Sequence, residues 1–159
     1  MAEFNRYAIY MLINSPKPLW LCGVDLSGTD LRGADFHGAV LVGANLSDCN
    51  LRGANFHEAN LGGVNLDGAN LTGADMRRAY LRGASMVKAD LHEAVMIEAD
   101  LFEANMSEAN LIESNLGGAD LTNANLTGAN LSGTNAPDYR LLRAKSLAGT
   151  TMPDGQKHE

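Results

Sequence analysis

Basic residues, aromatics, cysteine and long apolar runs are all scarce in this chain, and each scarcity excludes something. Twelve Lys and Arg stand against 19 Asp and Glu, a net charge of -7, with the basic residues scattered. There is no electrostatic footprint for gripping nucleic acid or an anionic membrane. The two cysteines, Cys22 and Cys49, make neither a disulfide framework nor a metal-binding spacing. The longest apolar run near the start, "YAIYMLI", follows Glu3 and Arg6 and ends before Pro16 and Pro18 with no small-residue cleavage signature. It is too short to span a bilayer and a poor signal peptide, so the expected location is cytoplasmic. Disorder is excluded as well, since 45% of the residues are hydrophobic. A chain of this length supports a single unit with a modest core.

What the chain has in abundance is a repeat of five. From Val24 to Gly133 the unit Ala-(Asp/Asn)-Leu-x-x runs without insertion for 22 units. Slot one is Ala except at Val24, Thr29, Cys49, Val64 and Ser114; slot two is Asp or Asn except at Val40, Tyr80, Ser85 and Val95; slot three is always Leu, Phe or Met. A helix scatters a period of five around its circumference, and a plain strand sends alternate copies to opposite faces. The pattern is buried only if the chain turns a corner every five residues, with slots one and three inward and the rest outward. Gly fills slot five in 12 of the units, as a turn with positive φ requires. Where slot five is Lys or Glu, from Lys88 to Glu113, a turn of negative φ is expected instead, because positive φ is costly for such residues.

The motifs "GANLTGAD" and "LTNANLTGANLSG" resemble the pentapeptide-repeat family, over about two thirds of the chain. The resemblance implies an all-β fold, a right-handed quadrilateral β-helix. Four sides also follow from the residues themselves. The departures from Leu in slot three, Phe36, Phe56, Met76, Met86, Met96 and Met106, all fall in alternate units, while Leu31, Leu41 and every tenth residue to Leu131 are constant. Such a period of ten suits a square coil and not a triangular one. Phe36, Phe56, Met76, Met96 and Leu116 are expected to stack in one column.

Open rod ends invite association unless capped. An N-terminal cap and linker are assigned to residues 1–20, with Phe4, Ala8, Met11 and Leu12 at helical spacing to plug the first coil. The β-helix itself occupies 21–135. Residues 136–159 form the far cap and tail, as a short helix over "PDYRLLRAK" with Pro137 in its first turn, or as an out-of-phase coil at Leu142, Leu147 and Met152.

No nucleophile with a base, no carboxylate pair in a cleft and no phosphate loop can be assembled from these residues. Cys49 sits in an inward small-residue slot. His37 and His57 share a column with Arg77, which opposes a cation, and zinc sites normally take three or four protein ligands. No catalytic residue, cofactor or metal is therefore expected, and no small-molecule substrate. Opposite charges 20 residues apart, Glu58–Arg78–Glu98 and Lys88–Glu108, are expected to pair along the rod.

Two functions are weighed. Proteins similar to this one are abundant in cyanobacteria, mostly without an established role and some linked to regulatory interactions; the resemblance implies a protein partner for a rigid rod surface. Others in the family imitate DNA and inhibit the type II topoisomerase gyrase, which needs a continuous acidic run that Arg32, Arg52, Arg77, Arg78, Arg82 and Lys88 interrupt here. The candidate partner patch is Tyr80, Arg82, Val95, Ile97, Phe102 and Ile112, on a rod that is a monomer or weak homodimer.

Overall fold

In a computed structural model the chain forms a stack of four-sided coils; Ile9, Met11 and residues 14–159 are described. Each slot-two residue makes a single parallel bridge to the residue 20 positions on, from Trp20↔Val40 through Asn110↔Asn130. The coil is therefore four units long, as the period of ten required. Slot-two residues form four walls, named here by their first members: the Trp20 wall (Val40, Asn60, Tyr80, Asp100, Asp120), the Asp25 wall, the Asp30 wall and the Asp35 wall.

Slots one and three are buried along the array, except Val24 and Thr29 in the first coil, which are half-buried. Leu41, Leu61, Leu71 and Leu81 are fully enclosed, and the Phe36 and Phe56 rings stack at 5.0 Å with 12° between their planes. Met76 and Met96 continue that column and Leu116 ends it, all buried.

Slot two is Asn or Asp for a reason the repeat alone did not show. Its Oδ1 accepts the N–H of slot four two residues later, as in Ser27 to Asp25 (3.1 Å), Thr72 to Asn70 (3.0 Å) and Thr127 to Asn125 (3.1 Å). An Asx turn starts every corner of the array except those after Val40, Tyr80, Ser85 and Val95. Some Asn amides also donate to the residue one coil before, as Asn45 to Asp25 and Asn125 to Asn105, both 3.0 Å.

The corner turns correct an expectation. Slot five holds positive φ whether it is Gly or not: Gly73 has 64°, and Lys88, Glu93, Glu98, Glu103, Glu108 and Glu113 all lie at 57–58°. The turn is of type II character along the whole array. Stacking explains this. The slot-five N–H donates to the slot-four carbonyl of the next coil, as Glu98 to Gly117 at 2.8 Å, and a corner of another shape would lose that bond.

The far end combines the two expected forms. α1 (Asp138–Leu141) follows Pro137, which stands at its N-cap and not within its first turn. Leu141, not Leu142, occupies the inward position above Leu121; Leu141 is buried and Leu142 is 75% exposed. The out-of-phase coil then resumes at Ser146 and Leu147, with bridges Asn125↔Ser146 and Asn130↔Thr151 offset by 21. One residue added after α1 produces the slip. The tail turns at "PDG" and returns through Thr151↔Lys157, laying antiparallel backbone on the last coil.

Of the expected N-terminal plug, Phe4, Ala8 and Leu12 lie outside the described residues. Ile9 and Met11 are helical, but Ile9 joins the core and Met11 is exposed, which corrects the inward placement of Met11. No helix among the described residues is long and apolar enough to cross a membrane.

Candidate interaction face

The rod's interior is filled by its own side chains, so its chemistry lies on the walls and corners. Tyr80 projects from the Trp20 wall and is 55% exposed. Two residues further along the chain, the Arg82 guanidinium lies 4.2 Å above the Phe102 ring and 3.3 Å from Asp100. Phe102 is half-buried beneath it. Val95 belongs to the adjoining Asp35 wall, with Ile97 at the corner between the two; Ile112 stands at the opposite edge of the Asp35 wall. All three are half-buried. Tyr80, Arg82 and Phe102 are thus brought together, while Val95, Ile97 and Ile112 extend away from them around the rod.

Among the described residues, five exposed large apolar side chains fall outside that sequence-derived patch: Met11, Trp20, Val42, Tyr139 and Leu142. Trp20 begins the wall that carries Tyr80, and Val42 is at the corner column of Arg82 and Phe102. Tyr139 and Leu142 lie over the last coil of the same wall, where Arg140 donates to the carbonyls of Gly118 (3.1 Å) and Ala119 (2.8 Å). A signal existed in the sequence. Val40 and Tyr80, two of the four departures from Asn or Asp in slot two, lie 40 residues apart and therefore on one wall.

The charges elsewhere are largely matched. Arg78 reaches Glu98 at 2.8 Å and Glu58 at 3.9 Å, Lys88 reaches Glu108 at 3.6 Å, and Arg32 and Arg77 clasp Asp30 and Asp75 two residues before them. Hydrogen bonding from the Arg77 guanidinium holds the Asp75 carboxyl below its ordinary range, and the Ser27 hydroxyl and N–H do the same for Asp25.

The remaining polar clusters are modest. His37 and His57 stack at 5.1 Å, with His37 Nδ1 bound to the His57 carbonyl. His92, Glu93 and Glu113 bring ligand-type atoms within 4.8 Å of one another at an exposed corner, a grouping missed in the sequence because it joins two coils. Cys49 is enclosed, its thiol pushed up by burial, with Sγ 3.0 Å from the Leu26 carbonyl. An open depression of about 500 Å³ lies between α1 and the C-terminal hairpin, bordered by Asp138, Leu142 and Pro153.

Residues 20–48, 49–86, 74–111 and 104–136 match the family model described as pentapeptide repeats, in eight copies. Among solved structures, a pentapeptide repeat protein of the Arabidopsis thaliana thylakoid lumen is 28% identical, covering 86% of this chain and 82% of that one, with a TM-score of 0.56. HetL, a pentapeptide repeat protein involved in heterocyst differentiation regulation in the cyanobacterium Nostoc, is 31% identical over 87% of this chain and 81% of its own, with a TM-score of 0.38. Trypsin-treated QnrB1, a plasmid-mediated fluoroquinolone resistance protein, is 18% identical over 85% of this chain and 90% of its own, with a TM-score of 0.42. No curated protein sequence is significantly similar to the chain.

Proposed function

The chain belongs to the pentapeptide-repeat family, and from that premise we propose that it is a non-catalytic interaction module whose rigid walls hold a protein partner. The observation that carries this reading is the exposed Tyr80 ring, with half-buried Phe102, Val95 and Ile97 on the neighbouring corner and wall, on an otherwise polar, internally paired surface. A side chain held on a β-ladder loses little freedom on binding, which favours recognition by preorganised surface. The contact set is Tyr80, Arg82, Val95, Ile97, Phe102 and Ile112, and the setting is the cytoplasm.

A filled core supports the absence of catalysis, since small-molecule sites are concave. The other class, a DNA-mimicking inhibitor of a type II topoisomerase, has weaker support. Its acids need to form a continuous strip, and Arg32, Arg77, Arg78, Arg82 and Lys88 each occupy one or more of them. No inhibition in a gyrase supercoiling assay at micromolar protein is the expected result.

Affinity capture from native cell extract tests the main reading. The intact rod is expected to retain a protein that the Ile97→Ser/Phe102→Ser double variant loses, with the fold of the variant unchanged by circular dichroism. Identical proteins retained by both, none of them competed by free rod, would overturn it.

A further inference from the structure

Two glutamates stack at the corner that follows the Asp30 wall, and no cation offsets them. Glu93 and Glu113 hold slot five in successive coils, both at φ 57°, so their side chains leave the backbone in the same direction about 4.8 Å apart. The rest of that column, Gly33, Gly53, Gly73 and Gly133, is glycine. Among the described residues neither carboxylate has a Lys or Arg in ion-pair range, whereas Glu98 has Arg78 at 2.8 Å and Glu108 has Lys88 at 3.6 Å. His92 completes the group. Its Nδ1 lies 3.0 Å from the Ile112 carbonyl, an oxygen that can only accept, so the neutral ring carries its proton there and keeps the Nε2 lone pair. Metal-bound histidines are oriented by a second-shell bond of this kind. Nε2 stands 3.7 Å from Glu93 Oε1.

We infer that this corner binds a divalent transition cation of the Zn²⁺ class, through His92 Nε2 and one oxygen each of Glu93 and Glu113. One ring nitrogen of His92 and one oxygen from each carboxylate already lie within 4.8 Å of one another. Ligands at about 2.1 Å around a single ion stand roughly 3 to 3.5 Å apart. Both glutamates are exposed, and rotation of their side chains closes the difference. An imidazole among the donors selects zinc and its neighbours over Mg²⁺ and Ca²⁺, which take oxygen ligands. The ion replaces the repulsion between the stacked carboxylates with a tie between two coils. Three protein ligands leave one tetrahedral position facing solvent, for water or for a donor atom brought by another molecule.

The rod contains its own comparison. His57 and Glu58 repeat the pair at the corner after the Asp35 wall, with Nε2 3.8 Å from Oε1. There the next coil supplies Arg78, whose Nη1 is 3.9 Å from Glu58. A guanidinium stands where the third ligand would be, and that corner is neutralised from within. Asp90, on the wall beside the candidate site, is taken up by Asn110 Nδ2 at 2.9 Å and Thr72 Oγ1 at 3.2 Å, and adds no fourth ligand.

The purified full chain, stripped of metal with a chelator, is titrated with Zn²⁺ by calorimetry and with paramagnetic Mn²⁺ in amide NMR spectra. One Zn²⁺ per chain is expected, with a dissociation constant of about 1 to 100 µM, and Mn²⁺ broadening centred on the amides of His92, Glu93 and Glu113. Mg²⁺ and Ca²⁺ at the same concentrations should give no heat. Glu113→Gln and His92→Gln are each expected to weaken Zn²⁺ binding by at least about tenfold, while Glu98→Gln, on the next corner and engaged with Arg78, leaves it unchanged. None of these side chains belongs to the core, so circular dichroism should be the same for all. No Zn²⁺ binding up to about 1 mM, an affinity unaltered by either Glu113→Gln or His92→Gln, or broadening centred instead on His37, His57 or His158 would each overturn the inference. The outcome is independent of the partner reading, because only the purified chain and the ion are present.

Discussion

Glu103 holds φ 58°, where an L side chain costs roughly 1 to 2 kcal/mol, yet its N–H meets the Thr122 carbonyl at 3.0 Å as a glycine in that slot would. Among the described residues, ten non-glycine residues share this conformation, Asp48 and Asn123 included. Local preference has been overridden by the coil above and the coil below. Glu103→Gly should therefore stabilise the rod, by about 0.5 to 1 kcal/mol once the glycine's added unfolded-state freedom is counted. A rise in melting temperature of a few degrees would register it, and no rise would show that the corner is unstrained. Ser114 presents the opposite case, a hydroxyl buried in slot one without a hydrogen-bond partner. Ala is the usual occupant of that slot, so Ser114→Ala removes an unmet polar group and is expected to raise stability by about 1 kcal/mol in denaturant titration.

Single coils show which parts of the fold could be read in advance. The inward slots were legible because only two positions in five ever carry the core, and their alternation of Leu with Phe or Met counted the sides. Leu71 is fully enclosed near mid-rod. Leu71→Ala is expected to cost roughly 2 to 5 kcal/mol through the cavity it leaves, and amide exchange should quicken in the coils on either side as well as in its own. What could not be read was set by neighbours that periodicity does not name. The corner φ of Lys88 and the Glu residues after it depends on the next coil. Leu141 outranks Leu142 because α1 spans the corner before one added residue shifts the register. For the candidate site, Tyr80, Arg82 and Phe102 followed from columns 20 apart, while Tyr139 and Leu142 required the cap to be placed first.

The whole molecule responds to acid through its walls. Asp75, held low by the Arg77 guanidinium, and Asp25 and Asp120, held low by Ser27 and Thr122, ionise more readily in the folded rod than at the ordinary 3.8. Their contribution is fully present above that ordinary value and is lost as pH falls through the lower folded values. Melting temperature is expected to hold from neutrality to about pH 5 and to drop below about pH 4, with a shallower drop in Asp75→Asn, which keeps the Oδ1 acceptor for the Arg77 N–H. A uniform acid slope in both proteins would remove the role given to Asp75. The offset of 20 that aligns these walls also makes the molecule a counting device. Duplicating four units would insert one more storey and leave every vertical line of side chains unbroken. Duplicating a single unit would keep each slot inward or outward, but it would rotate everything downstream by a quarter turn and set Met columns over faces that carry only Leu. Tyr139 and Leu142 would swing away from Trp20 around the square. Length can thus change by whole storeys with both core columns and surface columns intact, whereas the surface script is rewritten at every step that is not a multiple of four units.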